Sequence, residues 1–134
     1  MSQENVEIVR RIVEDAVQGR WEESARQLGP DAEWHGTVGG LTEGSVWRGP
    51  EQIRKIFEQE DAEAWDERRL EAEEFIDAGD CVVVLLHEFR RGKGSGVEME
   101  TDTAVVYEMR DGRVVRIQGY MDRAEALEAA GLRE

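Results

Sequence analysis

The sequence predicts an α+β fold: a curved, mostly antiparallel sheet wrapped by three N-terminal helices and followed by a short C-terminal helix. Three observations carry this reading. Apolar residues recur at spacings of three and four as far as Ala64, and beyond Trp65 the period changes to strand-like alternation. Asp111-Gly112 is the strongest short hairpin signal in the chain.

Taken in order, Ile8, Val9, Ile12, Val13, Ala16 and Val17 form one stripe, which makes the first helix amphipathic up to Gly19. Trp21, Ala25 and Leu28 repeat the spacing over a shorter helix that Gly29-Pro30 ends. Residues 31–35 read as a short strand. Five glycines (36, 39, 40, 44 and 49) make the next stretch a long mobile loop, of the kind that covers sites. Pro50 suits the first turn of a third helix whose buried stripe is Ile53, Ile56, Phe57 and Ala64. Residues 68–77 predict a strand with a wet face, 81–90 an apolar strand, and 92–95 the turn between that strand and the next. Across 97–110, Val97, Met99, Thr101, Thr103, Val105 and Tyr107 alternate with acidic residues, so one face of that strand is charged. Residues 114–121 return along it. Asp122 with Glu125 matches a capping box for the last helix, which ends near Gly131. A strongly curved sheet closed by helices in this way forms a cone with an interior cavity.

The chain has 134 residues, 17 Lys+Arg and 31 Asp+Glu, a net charge of −14, with no repeats and no linkers. Residues 1–134 are therefore one domain. Such a polyanion repels phosphate backbones and anionic bilayers, so neither nucleic acid nor membrane is an expected partner. The longest apolar run, 81–86, is too short to span a bilayer. The first residues, MSQENVEIV, lack a basic-then-apolar leader, and a cytoplasmic location is expected. A single cysteine, Cys81, excludes an internal disulfide.

Gly-Arg-Trp at 19–21, Gly-Pro-Asp-Ala-Glu-Trp-His at 29–35, Trp-Arg-Gly-Pro-Glu at 47–51 and Arg-Asp-Gly-Arg at 110–113 follow the amphipathic first helix in a familiar order. In this order and spacing, over nearly its whole length, the chain resembles the SnoaL-like branch of the nuclear transport factor two-like superfamily. That superfamily also contains ketosteroid isomerase, scytalone dehydratase and limonene epoxide hydrolase. The resemblance implies an α+β cone, usually a homodimer, with an apolar pocket for a small hydrophobic molecule and no cofactor. Ketosteroid isomerase works with a first-helix tyrosine, a base aspartate after the first strand and a protonated aspartate in the penultimate strand. By the same resemblance these positions fall on Ile12, Gly36 and Val105, none of which can do that chemistry. Isomerisation by that mechanism is therefore not expected.

The register implied by the resemblance turns Val105 into the cone, and with it Thr101, Thr103 and Tyr107 by the strand period of two. It turns His87 inward as well, with Val83, Leu85 and Phe89, opposite Thr101; on the last strand Ile117, Gly119 and Met121 follow. His87, a neutral imidazole among apolar neighbours, is then the candidate general acid/base, with Thr101, Thr103 or Tyr107 fixing its tautomer. The bland alternative is a hydrogen-bonded core histidine. Trp34, Phe57, Trp65, Phe89 and Met121 are expected to enclose the substrate, with Trp47 as a lid residue. His35 follows Trp34 and so falls on the other face or at the rim, where it stays a candidate ligand contact. Asp122 reads as a helix cap, and Asp102 points away from the cavity. No metal is expected, because His35 and His87 lie on opposite faces and no two-His motif has ligand spacing. Expected, then, is a cofactor-independent isomerase, cyclase or dehydratase acting on a small hydrophobic substrate. The alternatives are a non-catalytic binding module and, third, a pure dimerisation module with a filled interior.

Overall fold

A computed structural model describes residues 2–132. Four helices, α1 (Ser2–Val17), α2 (Trp21–Arg26), α3 (Pro50–Glu63) and α4 (Arg123–Ala129), accompany six strands. These are β1 (Leu28–Val38), β2 (Val46–Arg48), β3 (Trp65–Asp77), β4 (Cys81–Gly92), β5 (Glu98–Arg110) and β6 (Arg113–Tyr120). They form one curved, mixed sheet in the order β2-β1-β6-β5-β4-β3. All neighbours are antiparallel except β1 and β6, which run parallel. This is the α+β architecture expected. Among the described residues no helix is long and apolar enough to cross a membrane.

The glycine-rich segment departs from the expected structureless loop. β1 continues to Val38, and β2 pairs back on it through Glu33 with Arg48, Trp34 with Trp47 and His35 with Val46. Gly36 shows why glycine is needed in this hairpin: a Cβ there would lie 1.8 Å from the Thr42 carbonyl oxygen. A three-residue strand is too short to announce itself by alternation. At the other hairpin, Asp111 (φ 53°) and Gly112 (φ 76°) both take the left-handed conformation that a type I′ turn demands. Asp122 caps α4, its carboxylate accepting from the Ala124 N–H.

The sheet is covered on both sides. On its inner face, Val9, Ile12 and Val13 of α1 and Ile53 of α3 share a buried cluster with Val82, Val84, Val105, Tyr107 and Ile117. On its outer face, Ala126 of α4 is buried with Val83, Ala104 and Val106. Val82, Val83 and Val84 are all 0% exposed, so the start of β4 is apolar whichever way a side chain points. At about 1.5–3 kcal/mol for each fully buried side chain, this strand is a main contributor to the fold.

Candidate functional site

Residues directly opposite each other in a β-ladder share a face, so the register sorts side chains into rows across the sheet. Trp47, Trp34, Ile117, Tyr107 and Val82 make one inner row across five strands. Val84, Val105 and Gly119 make a second, Leu86 with Thr103 a third, and Leu70, Glu88 and Thr101 a fourth. Arg68, Arg90 and Met99 make the last, nearest the β4–β5 turn.

These rows and the helices α1–α3 enclose a cavity of about 920 Å³. Its aromatic side is built by α2, α3 and β1. Phe57 stacks on Trp21 at 5.5 Å between ring centroids and meets Trp34 edge-on at 4.4 Å. Trp47 and Trp65 also line it, so all four tryptophans of the chain stand on the cavity wall. Of the residues expected to enclose a ligand, Trp34, Trp47, Phe57, Trp65, Thr101, Thr103 and Met121 are on this wall, as is Tyr107. Tyr107 is buried in the same cluster as α1, and burial pushes its phenol well above the usual range.

His87, Phe89 and His35 are not. His87 stands opposite Asp102, one residue away from the expected pairing with Thr101, and this single step turns it to the outer face. There its Nδ1 lies 2.6 Å from Asp102 Oδ1, and its Nε2 lies 3.5 Å from Glu100. The hydrogen bond to Asp102 raises the His87 pKa above its ordinary value, and the Asp102 carboxyl is lowered in return. The imidazole is thus an ion-pair partner at the surface, neither apolar-held nor inside the cavity. Phe89 follows it outward, with the guanidinium groups of Arg69 at 4.4 Å and Arg91 at 5.7 Å from its ring. His35 is also on the outer side, its Nε2 2.9 Å from Glu33, whose carboxylate also pairs with Arg48.

Glu73, His87 and Asp102 come close enough to suggest a metal, but the space between them has a cation already. Arg123 Nη2 donates to Glu73 Oε1 at 2.6 Å and to the Leu86 carbonyl at 2.9 Å, and lies 3.9 Å from Asp102. The group is a surface ion network that fastens α4 to β3, β4 and β5.

The one-residue step that removes His87 from the cavity brings in Glu88 and Arg90. Glu88 is only 7% exposed, and Arg90 Nη2 donates to its Oε1. The Arg90 guanidinium also lies 5.1 Å from the Trp65 ring. A buried carboxylate needs such a partner to remain charged. The signal that locates Glu88 is the length of the β4–β5 connection. Gly92 N–H bonds the Val97 carbonyl and Arg91 stands opposite Glu98, one residue beyond the Val97 that the expected His87–Thr101 pairing sets against it.

The sequence profile of the SnoaL-like domain family matches residues 9–117. The chain belongs to the SnoaL-like family. Solved structures similar to this SnoaL-like protein include an NTF2-like protein of unknown function from Burkholderia pseudomallei (TM-score 0.76, 24% identity, 93% of this chain and 95% of that one). TerC, co-crystallised with polyporic acid, is similar over 96% of this chain and 98% of its own (TM-score 0.74, 26% identity). A putative SnoaL-like polyketide cyclase from Jannaschia sp. is similar over 98% and 94% (TM-score 0.74, 20% identity). No curated protein matches the chain.

Proposed function

We propose that this SnoaL-like protein holds a small, mostly apolar molecule in its cone and performs cofactor-independent proton-transfer chemistry on it, as an isomerase, cyclase or dehydratase does. The observation that carries the reading is the cavity itself. About 920 Å³ with a mostly apolar wall, aromatic on the α2–α3 side and charged at Glu88 and Arg90, suits a drug-sized, largely apolar ligand. Its similarity to TerC, co-crystallised with polyporic acid, supports an organic ligand of this kind. The ketosteroid isomerase mechanism has no support. Ile12 and Val105 are apolar residues on the cavity wall, and Gly36 leaves no room for any side chain. A filled interior, as a pure dimerisation module needs, is at odds with the cavity. The homodimer implied by the family is part of the proposal, as is the absence of nucleic acid as a partner, which the charge of −14 favours.

Binding without catalysis is the second reading, favoured by the commitment of Glu88 to an ion pair with Arg90. Native mass spectrometry of the purified protein tests the proposal. Twice the chain mass and a retained or added organic molecule per chain are expected; a protein that stays bare beside a panel of apolar ring compounds would contradict it.

A further inference from the structure

Among the described residues, Glu88 is the one carboxylate set in the inner face of the sheet within the cavity; Glu63, the other acidic residue described on the wall, is at the exposed end of α3. Its neighbours across the ladder are Leu70 on β3 and Thr101 on β5, both on the wall. Arg90, two residues on along the same face, donates to Oε1, and among the described residues no other group bonds the carboxylate. Oε2 is thereby left for a ligand. The Arg68–Arg90 row beside it places guanidinium charge next to this carboxylate on the cavity wall.

We propose that Glu88 is the proton-accepting group of the cavity and that Arg90 positions it, for a ligand that carries an acidic C–H or O–H on an otherwise apolar ring body. This rests on the reading of the cavity as a small-molecule site. In the step, the Glu88 carboxylate forms an O–H bond with the ligand's proton. The electron pair of the broken bond stays on the ligand, which takes over the negative charge. Arg90 lies beside both anions, so its charge is compensated before and after transfer, and the half-buried guanidinium is not left unpaired. The proton returns from Glu88 to the ligand, or leaves with an expelled group. Thr101, on the adjacent strand, is the nearest hydroxyl-bearing neighbour in the row.

The probe is 5-nitrobenzisoxazole, a flat apolar molecule. Removal of its one acidic C–H proton by a carboxylate breaks the ring N–O bond and releases a coloured cyanophenolate. Binding is followed separately by quenching of the four wall tryptophans. Wild-type protein is expected to quench and to turn over. In Glu88→Gln, kcat is expected to fall by about 100-fold with KM changed less than about twofold, the loss typical of removing a general base. Glu88→Asp keeps the charge and the Arg90 partner, and is expected to lower kcat at unchanged far-UV circular dichroism; it decides the matter should the Gln variant not fold. A probe that binds and reacts equally in wild type and in either folded variant overturns the role of Glu88 and leaves the binding site standing. A probe that neither quenches nor reacts with wild type overturns both.

Discussion

His87 faces Asp102 across the β4–β5 ladder, Nδ1 to Oδ1 2.6 Å, on the outer side of the sheet and away from the cavity. Each group shifts the other: the hydrogen bond raises the imidazole pKa and lowers the carboxyl pKa. The imidazolium form contributes stability that is complete below its unfolded value near 6.5 and is lost as pH rises through the higher folded value. The carboxylate contributes above its unfolded value near 3.8 and loses that contribution as pH falls through the lower folded value. The pair therefore supports the fold most fully between those two unfolded values. The melting temperature of His87→Asn should fall below wild type at about pH 5.5 and approach it at about pH 9. Ligand binding by the variant should match wild type throughout, because the ring faces the opposite side from the cavity. A loss of binding in this variant would mean that the two faces are coupled.

Gly36 sets the geometry at which β1 turns toward β2. A methyl group 1.8 Å from the Thr42 carbonyl oxygen forces the 36–45 segment to move, and with it the hydrogen bond from Gly36 N–H to the Ser45 carbonyl. Gly36→Ala should lose about 3 kcal/mol in urea-induced unfolding, at the upper end of overpacking costs. An unchanged unfolding midpoint would mean that the hairpin adapts freely.

Phe57 joins two tryptophans, stacking on Trp21 and meeting Trp34 edge-on. The ring is half-buried on the cavity wall, so truncation should cost less than the 3–5 kcal/mol of a fully buried phenylalanine, about 2 kcal/mol. Phe57→Ala should also red-shift the tryptophan emission as Trp21 and Trp34 gain water. Calorimetry and emission spectra of the one variant check both effects.

The fold was legible because period and punctuation agreed. The stripe from Ile8 to Val17 marks α1, the Thr101–Tyr107 alternation marks the inner face of β5, and Asp111-Gly112 fixes the β5–β6 hairpin. The inner side chains of β5 and the cap at Asp122 were legible for the same reason. The face of β4 was not. Val82 to Leu86 carries no alternation, because helices cover the sheet on both sides there, so the strand has no phase of its own. Its phase comes from its pairing with β5, and a one-residue offset from the expected His87–Thr101 pairing exchanges His87 for Glu88 in the cavity. Trp34 could be placed on a cavity from the register of the resemblance and Trp47 from its glycine-rich segment, but not opposite each other. Their pairing depends on β2, a strand of three residues inside a glycine-rich stretch.

A ligand-holding interior is tested by titration with N-phenyl-1-naphthylamine, a neutral apolar dye that emits strongly only out of water. All four tryptophans line the cavity, so dye bound there lies within energy-transfer reach of each. A hollow cone should show saturable binding of one dye per chain, with dye emission rising as tryptophan emission falls in parallel. Tryptophan emission that stays constant, or dye emission that grows without saturation, would contradict a hollow, ligand-holding cone.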